Sequence, residues 1–152
     1  MKEVLNEDSF GGQRGGAARF FRKVVFRTEG KAGRMVREMQ VTQDQGPGDS
    51  RILRITGEVD LKSSPSLRSE LQQVLSQKPP ALLIDLENCS YIDSSGIATF
   101  VEALQMLNTF QGKLALVRVT QRVKDIFEIA HLDGIFPMFP SMEDAARELG
   151  LA

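Results

Sequence analysis

The chain has 152 residues, 41% of them hydrophobic, which suffices for one domain with a core and some additional chain. Its 19 basic residues face 20 acidic ones, so the overall charge carries no footprint of a nucleic-acid binder. One cysteine, Cys89, and one histidine, His131, exclude an intramolecular disulfide and a Cys/His metal set, and the expectation is a chain with no metal or other cofactor. Near the N-terminus the apolar pair Phe20-Phe21 is interrupted at once by Arg22-Lys23, and no run approaches the roughly 18 apolar residues of a membrane span. A soluble, cytoplasmic protein without membrane insertion is expected.

The charge is uneven along the chain. Residues 1–37 hold nine basic and four acidic residues, a local charge of +5 that leaves −6 for the remainder. Residues 1–36, centred on Gly11-Gly12-Gln13-Arg14-Gly15-Gly16, read as a basic, Gly-rich flexible N-terminal extension. Two further readings stay open. Phe20, Phe21, Val24 and Val25 allow a short helix or strand around Ala17–Phe26, and the compositional break before Met35 allows a natural start at Met35 or Met39. The glycine run lacks the Gly-Lys-Ser/Thr of a phosphate loop, and one Arg-Gly-Gly unit is a weak signal for RNA.

The second region, residues 37–150, is orderly. Arg37–Gln43 alternates Met39 and Val41 with polar neighbours, Gln45–Asp49 is a turn by composition, and Arg51–Thr56 follows, so the spacing predicts a hairpin. Ser64-Pro65 opens a helix with a serine cap, and Leu67, Leu71, Val74 and Leu75 recur at helical spacing until Pro79-Pro80. Ala81–Leu86 is a nearly continuous apolar run, the mark of a central strand covered on both faces. After a loop over Glu87–Ser94 a second helix carries Ile97, Phe100, Val101, Leu104 and Leu107, with Gly112 near its end. Lys113–Val119 predicts a strand, and Gln121–His131 a third helix. Ile135–Phe139, broken by Pro137, suits a sheet edge. Ser141-Met142-Glu143-Asp144 resembles a capping box and opens a last helix ending at Gly150. Alternation of this kind predicts a largely parallel sheet with helices packed against it.

The junction from Leu83 to Ile97 leads from a buried strand to a helix, the place where open α/β sheets hold their sites. In Asp93-Ser94-Ser95-Gly96, Ser94 or Asp93 can cap the helix, which sets Ser95 in its first turn, and Gly96 leaves room for another protein to approach. A phosphate on Ser95 would bring roughly −1.5 to −2 charges to the positive end of a helix and change the surface offered to a partner. Taken alone, these four residues read more plainly as a cap and a tight turn.

Several segments in order widen the view: Gly57-Glu58-Val59-Asp60, Ile84-Asp85-Leu86, Asp93-Ser94-Ser95-Gly96, and Leu132-Asp133-Gly134-Ile135-Phe136 followed by Ser141–Leu149. Over residues 37–149 this set resembles the STAS domains of bacterial anti-sigma factor antagonists, or anti-anti-sigma factors. The resemblance implies a mixed, largely parallel α/β sheet of about five strands with about four helices packed against it. It further implies a non-enzymatic, phosphorylation-switched signalling module in transcription regulation. Ser95, directly before Gly96, would be phosphorylated by a serine kinase that is also the anti-sigma factor, and a serine phosphatase would restore it. The unphosphorylated form would sequester the anti-sigma factor and free sigma. Glu58, Asp60, Asp93, Ser94 and Gly96 would form the partner surface, with Ser94 as neighbour and cap.

The residues also admit other readings. Gly96–Gln105 resembles equally the STAS subunits or regulators of ABC-type lipid transporters, which would use the same surface to grip a membrane subunit. Glu58 and Asp60 admit an acid/base pair, though a turn with solvated acids is the plainer reading. A Ser95–His131–Asp hydrolase lacks the Gly-x-Ser-x-Gly signature. Cys89 reads as a semi-buried small residue or an exposed thiol, and Met106, Met138 and Met142 as filler of a core or interface.

Overall fold

The computed structural model describes residues 2–11, 19–28 and 37–151, with side chains from residue 39. Strands β1 (Lys2–Gly11), β2 (Arg19–Thr28), β3 (Arg37–Gln45) and β4 (Arg51–Val59) precede helix α1 (Ser64–Leu75). Then follow β5 (Ala81–Asp85), β6 (Cys89–Ile92), α2 (Ser94–Thr109), β7 (Lys113–Val117), α3 (Gln121–Ile129), β8 (Met138–Phe139) and α4 (Met142–Glu148). They form one mixed sheet in the order β1-β2-β3-β4-β5-β7-β8, with β6 also pairing with β4. β1 to β4 pair antiparallel, and β4–β5, β4–β6, β5–β7 and β7–β8 pair parallel.

The order of elements from β3 onward matches the periodicity, and two differences have physical causes. Residues 2–11 and 19–28, expected within a flexible extension apart from the short helix or strand allowed around Ala17–Phe26, are strands of the sheet, and β2 meets that allowance. Phe20, Phe21, Val24, Val25 and Phe26 supply strand propensity, and the register sets Val24 opposite Val41 and Phe26 opposite Met39. The glycine run from Gly12 and the break before Met35 lie outside the described residues. The second difference is β6, inside the stretch expected to be a loop. It is four residues long, too short for a periodic signal, and forms because β4 runs past β5 and offers free backbone groups as far as Val59. At the Gly57/Glu58 step the pairing shifts register, and Gly57 takes φ +97°, a left-handed conformation that favours glycine.

Alternation of side chains divides the interior into two cores. Leu53, Ile55, Leu82, Ile84, Leu114 and Leu116 meet the inner faces of α1, α2 and α3 in the larger one. Ile52, Leu83, Ala115 and Val117 meet Ala145 of α4 and Leu151 in the smaller one. Phe127 of α3 stacks on Phe100 of α2 at 6.2 Å between ring centroids and takes Phe136 on its edge at 5.4 Å, so three aromatic rings tie α3 to α2 and to the segment before β8.

Buried Asp85, at the end of β5, pairs with Arg118, which also reaches Glu87 at 2.7 Å, and with Arg54 at 3.5 Å. The hydrogen bond from Arg118 holds its guanidinium above the ordinary value, and nearby Asp85 and Glu87 add to the effect. This cluster closes the carboxyl end of the sheet beside β7 by internal neutralisation.

Candidate functional site

The junction between β6 and α2 is built by backbone and cap together. The Asp93 amide donates to the Val59 carbonyl at 2.9 Å, which fixes the end of β6 to the end of β4. Asp93 is extended (φ −89°, ψ −176°) and is the N-cap of the 16-residue α2. Its Oδ1 accepts from the Ser95 amide at 2.9 Å and the Gly96 amide at 3.2 Å, so a carboxylate stands at the positive end of the helix. The same oxygen accepts from the Ser95 hydroxyl at 2.5 Å. Buried Thr99 donates its hydroxyl to the Ser95 carbonyl at 2.9 Å one turn further on.

The two serines are therefore unlike. Ser94 is the first residue of α2 and is exposed, and its hydroxyl has no hydrogen-bond partner among the described residues. Ser95 is half-buried and its hydroxyl is held by Asp93. Of the two caps the sequence allowed, the structure uses Asp93 and not Ser94, because its carboxylate reaches two amides and a hydroxyl at once.

Gly96 corrects a second expectation. It is buried, and a Cβ built there would lie 2.6 Å from Ile92 Cγ2 and 2.7 Å from Val59 Cγ1. The residue lacks a side chain so that α2 can sit against β4 and β6, which is a packing role rather than room left for a partner to approach.

The loop after β4 lies against this junction. Asp60 Oδ1 accepts from the amides of Lys62 and Ser63, both at 3.0 Å, and from the Ser63 hydroxyl at 3.1 Å. Ser63 Oγ in turn accepts from the Asp60 amide at 2.9 Å. Asp60 thus lies in the turn that the plainer reading expected, with its carboxylate engaged in closing that turn. Ser63, rather than Ser64, is the N-cap residue of α1, and its hydroxyl serves the turn instead of the helix. Half-buried Glu58 pairs in register with Tyr91 of β6, and the Tyr91 ring lies 5.7 Å below the Arg122 guanidinium of α3. The loop presents Leu61, 75% exposed, at its apex.

The remaining candidates separate from this cluster. His131 is the left-handed residue (φ +57°) that closes α3, its amide bonded to the Glu128 carbonyl at 3.0 Å. The Ser95 hydroxyl goes to a carboxylate, so the imagined serine–histidine pair is not formed. Cys89 is fully buried, and this overturns the exposed-thiol alternative. Burial pushes its thiol from 9.0 up to about 11; a backbone hydrogen bond at Tyr91 lowers it in part and the Glu58 charge raises it. Because the folded value is the higher one, this contribution to stability is complete below pH 9 and is lost as pH rises toward 11. Chemical denaturation at the two pH values should show an alkaline loss about 2–3 kcal/mol smaller in Cys89→Ala than in wild type. No group of three or more His, Cys, Asp or Glu among the described residues could hold a metal ion.

Comparison with known proteins places this geometry in a family. The STAS domain profile matches residues 38–145, well over half of the chain. The anti-sigma-B factor antagonist of Bacillus subtilis is 31% identical over 109 residues, which cover 72% of this chain and 98% of that protein. Among solved structures, the anti-sigma factor antagonist SpoIIAA in its unphosphorylated form aligns with a TM-score of 0.64 at 18% identity, covering 74% of this chain and 98% of that one. SpoIIAA of Bacillus in its phosphorylated form aligns with a TM-score of 0.57, again at 18% identity, covering 70% and 97%. No described helix is long and apolar enough to cross a membrane. The chain belongs to the STAS domain family, among the anti-sigma factor antagonists.

Proposed function

We propose that this antagonist works by binding rather than catalysis, as a phosphorylation-switched docking module in the cytoplasm. Its partner is an anti-sigma factor that is also a serine kinase, and a serine phosphatase reverses the modification. In the unmodified state the surface around the start of α2 and the β4–α1 loop, with Glu58, Asp60, Asp93 and Ser94, sequesters the anti-sigma factor and frees sigma. The relatives support this reading over that of a transporter subunit.

The observation that carries the switch is the exposed, unengaged Ser94 hydroxyl on a helix terminus already capped by Asp93. Ser95, which the family resemblance marks, is the less available of the pair, so the acceptor proposed here is Ser94. A phosphate there adds roughly −1.5 to −2 charges beside the Asp93 carboxylate, whose oxygen already occupies the amides of Ser95 and Gly96. The new charge must stay solvated, and burying it under a partner carries a desolvation cost. Rigid hydrogen bonding in the loop and cap keeps the backbone in place, so the switch is one of surface charge and shape.

Co-purification with the anti-sigma factor of the same organism tests this reading. Ser94→Ala should retain the partner and Ser94→Asp should lose it. Equal retention by both would contradict the switch.

A further inference from the structure

Two adjacent serines stand at the start of α2, and one carboxylate treats them differently. Asp93 Oδ1 takes the Ser95 hydroxyl at 2.5 Å and leaves the Ser94 hydroxyl to solvent. To act as a phosphate acceptor, Ser95 would have to break a charge-assisted hydrogen bond and rotate out of a half-buried position. Its phosphate would then stand beside the carboxylate that had held the hydroxyl. Ser94, exposed and with its hydroxyl unengaged, has no such bond to break and no rotation out of a half-buried position to make. We infer that Asp93 is a positioning residue that selects the acceptor: by turning the Ser95 hydroxyl inward it confines phosphorylation to Ser94. This rests on the proposed phosphorylation, and it assigns to Asp93 a task separate from capping, since the amides of Ser95 and Gly96 need only an acceptor oxygen and the selection needs the hydroxyl engaged.

The experiment expresses the full chain in its native host and maps phosphate by mass spectrometry. Wild type should carry phosphate on Ser94 alone. Asp93→Gly keeps a residue tolerated at an N-cap but frees Ser95, so the ratio of phosphate on Ser95 to that on Ser94 should rise about tenfold or more. Asp93→Asn retains an acceptor oxygen for the Ser95 hydroxyl and should keep the preference for Ser94. Ser94→Ala leaves Asp93 in place and should take no phosphate on Ser95. That variant keeps the test decisive even where Asp93→Gly does not fold.

Phosphate on Ser94 alone in both wild type and Asp93→Gly would overturn the selection while leaving the switch intact. Phosphate on Ser95 in Ser94→Ala would do the same. Phosphate on Ser95 in wild type that disappears in Asp93→Gly would show that Asp93 activates this serine instead of shielding it. Phosphate on neither serine in any form would overturn the phosphorylation reading and the selection with it.

Discussion

Phe127→Ala is expected to lower the unfolding free energy by about 3–5 kcal/mol. The ring is fully buried, stacks on Phe100 and receives Phe136 on its edge, so truncation removes both aromatic contacts and opens a cavity between α3 and α2. Against a total of about 5–15 kcal/mol for an ordinary domain, that loss is a large share. Urea denaturation checks it: the midpoint should fall while the slope stays near the wild-type value. Phe127→Leu fills part of the space and should cost clearly less. A midpoint for Phe127→Ala close to that of wild type would mean that α3 is not anchored through this ring.

The second large effect lies at Gly96. Gly96→Val should cost about 3 kcal/mol, near the upper end for overpacking, because its first side-chain atom already meets Val59 and Ile92 closer than real contacts allow. Gly96→Ala brings the same Cβ but gains about 1 kcal/mol of helix propensity, so its net cost is smaller. Ser94→Ala, on the same turn but exposed, should stay within about 0.5 kcal/mol of wild type. Chemical denaturation of the three variants should rank them in that order. Partner binding should fall in Gly96→Val alone, since a displaced α2 moves Asp93 and Ser94 together.

The sequence carried the parts of the fold that repeat. Met39 and Val41 alternate and became a strand; Leu67, Leu71, Val74 and Leu75 recur at helical spacing and became the buried stripe of α1; Ser141 caps α4 by accepting from the Asp144 amide at 3.1 Å. β6 was not legible because four residues hold only two repeats of a period-2 pattern, and its pairing with β4 is a tertiary event. Strand β1 was obscured by a composition that suggests solvated chain, and β2 was legible only as an open choice of helix or strand around Phe20, Phe21, Val24 and Val25. At the site, the residue types Asp93, Ser94, Ser95 and Gly96 were all found, but their division of labour was not. Which hydroxyl Asp93 takes depends on rotamer and burial, and the tight approach of Val59 and Ile92 to Gly96 depends on how α2 lies against the sheet.

These placements bear on how the domain works. The junction is prepared before any partner arrives: β4 and β6 are joined through Val59 and Asp93, the helix end is capped, and the Asp60 turn is closed by its own hydrogen bonds. A surface ordered in advance avoids much of the entropy loss of association. On the proposed switch, it would also let a single modification act without a conformational change.

The most direct measurement titrates the purified anti-sigma factor of the same organism with two forms of the full chain, one bearing the Ser94 hydroxyl and one with phosphoserine installed at position 94. The unmodified form should bind, and the phosphorylated form should bind at least about tenfold more weakly, the effect of losing roughly 1.4 kcal/mol. Equal affinity of the two forms, or no binding by the unmodified one, would contradict the account.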